Sequence, residues 1–218
     1  MKTITVKGVG KAIKNPDTAI VNITFSVMKE NFEDGLHYID EQVINLKNSF
    51  EDIGFDKNEF KTVSFDILQK YNEVEEGIIN KEYKDKFVGF EITHELKLEF
   101  EFTHEKLVSV FGCLTDFGEN IEFELSFSVK DKKQMIREVL LNATQNARFN
   151  AEILAEASSL KLGNLVEIDC NISDFCFESY TEINHNGVGG LGALFSSESI
   201  TPDKIEISDT VTFVWEII

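Results

Sequence analysis

Along four stretches of this chain, apolar and polar residues alternate one for one. In "TAIVNITFSV", Ala19, Val21, Ile23, Phe25 and Val27 fall on one side. In "FEITHELKLEFEF", Phe90, Ile92, Leu96, Leu98, Phe100 and Phe102 do the same, and Glu91, Glu95, Lys97, Glu99 and Glu101 take the other side. "IEFELSFSV" repeats the pattern with Phe123, Leu125, Phe127 and Val129, and "KIEISDTVTFVWEI" with Ile205, Ile207, Val211, Phe213, Trp215 and Ile217. Successive side chains of a strand point to opposite faces, so the pattern predicts mostly antiparallel sheets covered on one side. Asp209 breaks the apolar row of the last stretch and predicts a bulge or bend there.

Three segments switch to helical spacing. Phe32, Leu36, Ile39, Val43, Leu46, Phe50 and Ile53 follow each other at intervals of four and three, which makes one continuous stripe. Asn31 and Asp34 can cap its start, and Gly54 can end it. A second helix starts at Thr103, carries Leu107, Val110, Phe111, Leu114 and Phe117, and stops at Gly118. The third is expected from about Asp131 to Leu162, opened by a box of Asp131 and Gln134 and closed by Gly163. At 1.5 Å per residue it would reach about 45 Å. Ala143, Ala147, Ala151 and Ala155 form a seam of small side chains along it. Such a seam permits close packing on a sheet, or serves as a self-association face.

The expected order is ββαββαβαββ, an α+β class with the three helices packed on one face of the sheet or sheets. Only two prolines occur, Pro16 and Pro202, and no linker rich in Pro, Gly or Ser interrupts the chain. A single domain over 1–218 is therefore expected, with a division into about 1–103 and 104–218 as the alternative. The charged run over residues 72–86 reads as a solvated hairpin tip or loop.

Composition narrows the function. Lys and Arg total 21 against 39 Asp and Glu, a formal net charge of −18. Such a surface repels phosphate backbones and anionic headgroups, so neither nucleic acid nor membrane is expected as partner. No apolar run approaches the ~18 residues that a spanning helix needs. The opening "MKTITVKGVG" has no apolar core of a signal peptide, and a cytoplasmic location is the expectation. Three cysteines, Cys113, Cys170 and Cys176, make no disulfide framework and read as small apolar groups.

"NHNGVGGLGALFSS" carries Gly187, Gly189 and Gly192 in the spacing of a dinucleotide fingerprint. That fingerprint needs a helix opening directly behind it to hold the pyrophosphate. Here "ALFSSESITPDK" leads to a strand instead, so the stretch reads as a connection whose glycines permit positive φ. If it contributes contacts, Leu191, Leu194 and Phe195 are the candidates, beside the alanine seam, for an oligomer interface. The four histidines, His37, His94, His104 and His185, show no metalloprotease or zinc spacing. His94 sits on an apolar strand face and reads as a hydrogen-bonded core histidine. Glu91, Glu95, Glu99 and Glu101 form the polar side of a strand rather than an acid–base pair. No nucleophile elbow or P-loop is present; "GKAIKNPDT" lacks the second glycine and the Lys-Ser/Thr end. The expectation is a protein with no catalytic, metal or cofactor residues that acts through self-association or a protein partner. The alternative is a small-ligand or metal-binding module, enzymatic or not, using Glu182, His185 and Asp203 beneath the glycine-rich loop.

The opening "ITVKGVGKAIKNPDTAIVNITFSV" resembles the start of the SIMPL-domain family, with Val6, Gly8, Gly10, Pro16, Asp17 and Ala19 in its V-x-G-x-G and P-D-x-A positions. "FKTVSFDILQKY" (Thr62, Ser64, Tyr71), the strand opening at Gly89, the alanine-spaced helix followed by Leu162 and Gly163, and the closing "ITPDKIEISDTVTFVWEI" follow in the family's order. In the last, Ile205 or Ile207 stands where the family has Val. The resemblance implies a protein without established catalytic residues, from a family with many exported bacterial envelope members and several homo-oligomers. This chain departs from it in its strongly acidic surface and in the lack of an export signal.

Overall fold

The alternating stretches form strands and the three- and four-spaced stretches form helices. A computed structural model describes residues 2–76, 82–117, 121–171, 174–181 and 200–218. In chain order the elements are β1 (Thr3–Lys14), β2 (Thr18–Lys29), α1 (Phe32–Asp52), one 3-10 turn (Lys57–Glu59), β3 (Lys61–Glu76), β4 (Glu82–Glu101), α2 (His104–Asp116), β5 (Ile121–Ser128), α3 (Lys132–Ala157), β6 (Leu162–Asp169), β7 (Glu178–Thr181) and β8 (Ile205–Ile217). The class is α+β as expected, with one strand more. In "LVEIDCNISDFCF", where a single strand is expected, only the first part is strand, the end of β6, and β7 starts just after the stretch, in the other sheet.

The strands make a three-stranded sheet, β1-β8-β6, and a five-stranded sheet, β3-β4-β2-β5-β7. The pairings β1–β8, β6–β8, β2–β4 and β3–β4 are antiparallel. Two compact units result, one of residues 1–17, 127–179 and 202–218, the other of residues 18–126 and 180–201. The units interleave along the chain, whereas a linear reading places a division near 103/104. The reason is long-range pairing: β1 and β8, from opposite ends, run in register from Thr3↔Glu216 to Lys14↔Ile205. That register passes through Gly10↔Asp209 without a shift, so Asp209 makes no bulge against β1; the irregularities fall in the β6–β8 ladder. The Asp209 carboxylate instead accepts the Thr210 N–H at 2.7 Å.

In the first unit α3 lies on β1 and β8. Its core joins Val6, Ala143, Ala147, Ala151, Val211, Phe213 and Trp215, and a second cluster joins Ala12, Val129, Met135, Val139, Ile205 and Ile207. Asp17, the acid of the Pro-Asp turn, holds the entry to α3. Its amide donates to the Ser128 carbonyl at 3.1 Å, and its carboxylate accepts the Lys130 amide at 2.7 Å. In the second unit α1 lies on β2 and β4, and α2 reaches β5 through the Phe111–Phe123 ring pair. The helices are thus shared between two sheets.

Helix ends follow local chemistry. Asn31, Thr103 and Asp131 each accept a backbone N–H of the first turn, as expected of N-caps. Gly54, at φ +95, ends α1 in a Schellman turn: its N–H donates to Glu51 O, and Phe55 N–H donates to Phe50 O. The end of α3 differs from expectation. It closes at Ala157 with the same hydrogen bonds, Ser159 N–H to Glu156 O and Leu160 N–H to Ala155 O, and Ser159 takes the left-handed position at φ 58. Gly163 lies inside β6. Its missing side chain makes room for Glu216, whose Cβ would stand 2.9 Å from an added Cβ.

Candidate functional site

In the first unit, the alanine seam has a specific partner. Gly8 and Gly10 on the inner side of β1 lie directly beneath it. A Cβ on Gly10 would come within 2.7 Å of Ala143 N and closer still to Val139 O; one on Gly8 would come within 2.6 Å of Ala147 Cβ. Two glycines and a row of alanines let the helix backbone descend almost onto the strand. Ala143, Ala147, Ala151 and Ala155 are consequently buried against their own sheet, leaving no exposed surface there for a second copy. The packing reading of the seam describes this chain.

The close approach draws α3 to the β1 side. Asn146 Oδ1 accepts the Val9 N–H at 3.0 Å, and Asn142 Nδ2 donates to the Lys11 carbonyl at 2.7 Å. These bonds cover backbone groups on the outer edge of β1, an edge that would otherwise invite pairing with another chain. On the opposite side, β6 is the edge strand among the described residues. Leu165 and Ile168 of β6 stand opposite Trp215 and Phe213, on the side that faces α3, yet are 47% and 54% exposed. Between β6 and α3 runs a groove of about 550 Å³, floored by Val211, Phe213 and Trp215 and flanked by Leu140, Arg148 and Cys170.

In the second unit the same arrangement recurs on a larger scale. α1 covers β2 and β4 but not β3. Phe65 and Ile67 of β3 pair with His94 and Ile92 of β4, and a register shift after Lys70 sets Tyr71 against Phe87. Rings then follow one another, Tyr71 to Phe87 at 5.6 Å, Phe87 to Phe90 at 5.2 Å and Phe90 to Phe32 at 5.6 Å. Along this row Phe65, Ile67 and Phe87 are each 41% exposed and Tyr71 is 52% exposed. Gln69 stands between Ile67 and Tyr71 in this row and accepts the Tyr71 hydroxyl at 2.8 Å, so the strip is apolar on either side of one amide. Its sequence signal lay in "FKTVSFDIL", where Val63, Phe65 and Ile67 alternate; the alternation shows a strand but not that its greasy side is left bare.

The chemistry-bearing groups do not converge among the described residues. Among the described residues no group of three or more His, Cys, Asp or Glu is placed to hold a metal. Cys113 is half-buried, and Cys170 and Cys176 are exposed thiols, against the expectation of buried groups. Asp203 is exposed; Glu182, His185, Leu191, Leu194 and Phe195 lie outside the described residues. His94 is half-buried as expected, with Nε2 3.0 Å from Thr62 Oγ1 and Phe65 packed edge-on. Its Nδ1 is buried with no partner among the described residues. Burial lowers its pKa below the ordinary histidine value, Lys47 on α1 adds to this, and Asp40 opposes it. The sign follows directly: the unfolded chain takes up this proton more readily, so stability is full above about pH 6.5 and declines as the pH falls through the window just below. Denaturant midpoints taken from pH 7 down to 5.5 should therefore fall, and His94→Phe should show a shallower fall. Equal slopes in the two proteins would refute this account.

These features define an α+β protein of two interleaved units whose distinctive surfaces are uncovered strand faces. The chain belongs to the SIMPL family, a protein family of unknown function (DUF541), whose model matches residues 4–215. No curated protein matches it.

Proposed function

We propose that the protein performs no chemistry of its own and acts by association, chiefly with copies of itself, through the bare apolar face of β3 and β4. The observation that carries this is the exposed row Phe65, Ile67, Tyr71 and Phe87 beside β3, which has a single strand neighbour among the described residues. Burying such side chains is favourable by roughly 25 cal/mol per Å² of apolar surface, and a long greasy edge strand left open is a liability in a monomer. Association also accords with the dispersed titratable groups and with the homo-oligomers that the family resemblance implies.

Light scattering over a wide concentration range tests it. The wild type should run above the 24.8 kDa of one chain. The double variant Ile67→Glu, Tyr71→Glu should run as a monomer with its circular dichroism unchanged. A wild type that stays monomeric throughout would end the proposal.

A further inference from the structure

We infer that the β6 edge of the first unit is a docking site for an extended segment of another polypeptide, in which apolar and basic residues alternate. This rests on the reading that the protein works by association, but it concerns a different surface and a different partner. Three observations lead to it.

The two edges of the three-stranded sheet are treated differently. Asparagines of α3 cap β1, whereas β6 has no second neighbour among the described residues. An open edge supplies main-chain donors and acceptors to an added strand, and pockets for alternate side chains then give specificity. The two sides of β6 also differ in chemistry. Leu165, Ile168 and Cys170 face the groove, with Phe213 and Trp215 at its floor. Glu167 and Asp169 pair with Val214 and Thr212, outward-facing residues of β8, and neither carboxylate is in an ion pair among the described residues. A strand laid beside β6 would set every second side chain into the groove and the others beside those carboxylates. Apolar residues suit the first set and Lys or Arg the second.

Charge selects the occupant. A second copy pairing through β6 would bring two such acidic strand faces together. A basic strand meets attraction where a second copy meets repulsion. The register shifts between Leu162 and Glu167 distort the first half of the ladder, which places the regular pairing surface over Glu167–Asp169.

The test uses the full chain and a fluorescein-labelled peptide, Lys-Val-Lys-Ile-Lys-Val-Lys-Ile. A block-order peptide of the same composition and an alternating Glu/Val peptide serve as controls. In fluorescence anisotropy the alternating basic peptide should bind at least about tenfold more tightly than either control, as matched charge and side-chain register predict. Ile168→Lys should weaken binding by about tenfold, and so should the pair Glu167→Lys, Asp169→Lys, because both sets of side chains contribute. Ile168 is half exposed on an edge strand, so the first variant should fold; unchanged circular dichroism and an unchanged mass in light scattering would show it. Equal affinity for the block-order peptide would reveal unspecific attraction to an acidic protein and overturn the proposal. So would binding indifferent to Ile168→Lys. Loss of self-association in Ile168→Lys, without peptide binding by the wild type, would make β6 a contact between copies; that sinks the present inference and leaves association itself standing.

Discussion

Gly10→Val should lower stability by about 3 kcal/mol or more, at the upper end of what overpacking costs and above the average substitution. The atoms in the way are not side-chain tips that can rotate aside. They are Val139 O and Ala143 N, backbone of α3, and the helix must lift off β1 for any Cβ to fit. Lifting it would also loosen the bonds of Asn142 and Asn146 to the β1 edge and open the cluster around Ala143. For a chain of this length such a loss corresponds to a fall in Tm of roughly 6–12 °C. Gly10→Ala should show a smaller effect of the same sign. Because the clash is with backbone, trimming the helix with Ala143→Gly should not restore Gly10→Ala, and should add its own helix-propensity cost of about 1 kcal/mol. A double variant as stable as the wild type would mean that side chains, not main chain, set the distance.

Phe50→Ala should cost about 3–5 kcal/mol, the range for truncating a fully buried phenylalanine. Phe50 is wholly buried and is the hub of three rings, 5.8 Å from Phe55 and 5.1 Å from Phe60 in centroid distance. It also occupies the position whose carbonyl accepts the Phe55 N–H in the turn that ends α1. Its removal empties the space between α1, the 3-10 turn and the start of β3 and unpins the helix end. Phe149→Ala is the natural comparison, since Phe149 is 62% exposed on α3 and should change stability by less than about 0.5 kcal/mol. Chemical denaturation of the two variants side by side reads both. Similar midpoints for them would show that the three-ring cluster does not hold the second unit.

Much of this fold was legible before any coordinates. The alternation in β2, β4, β5 and β8 identified the buried rows, because strand geometry forces every second side chain to one side. The caps Asn31, Thr103 and Asp131 and the glycine stop at Gly54 are local devices, each written within a few residues, and each stands where it was expected. The end of α3 was misread for the same reason in reverse: Gly163 suits a helix stop, but Ser159 took the left-handed position four residues earlier and Gly163 served a strand contact. The candidate surfaces were far less legible. Phe65, Ile67 and Tyr71 look like any strand residues, and nothing in their neighbours along the chain says that α1 stops short of β3.

From the sequence alone came the class, the elements, their greasy faces and the membership in a family, since these depend on periodicity and on short motifs. Tertiary structure alone decided that the ends of the chain share a sheet, that Gly8 and Gly10 sit under Ala143 and Ala147, and that among the described residues nothing covers Phe65 and Ile67 of β3 or Leu165 and Ile168 of β6. The reason is physical: which face a residue occupies is set by its immediate neighbours, whereas what covers that face is set by segments distant along the chain.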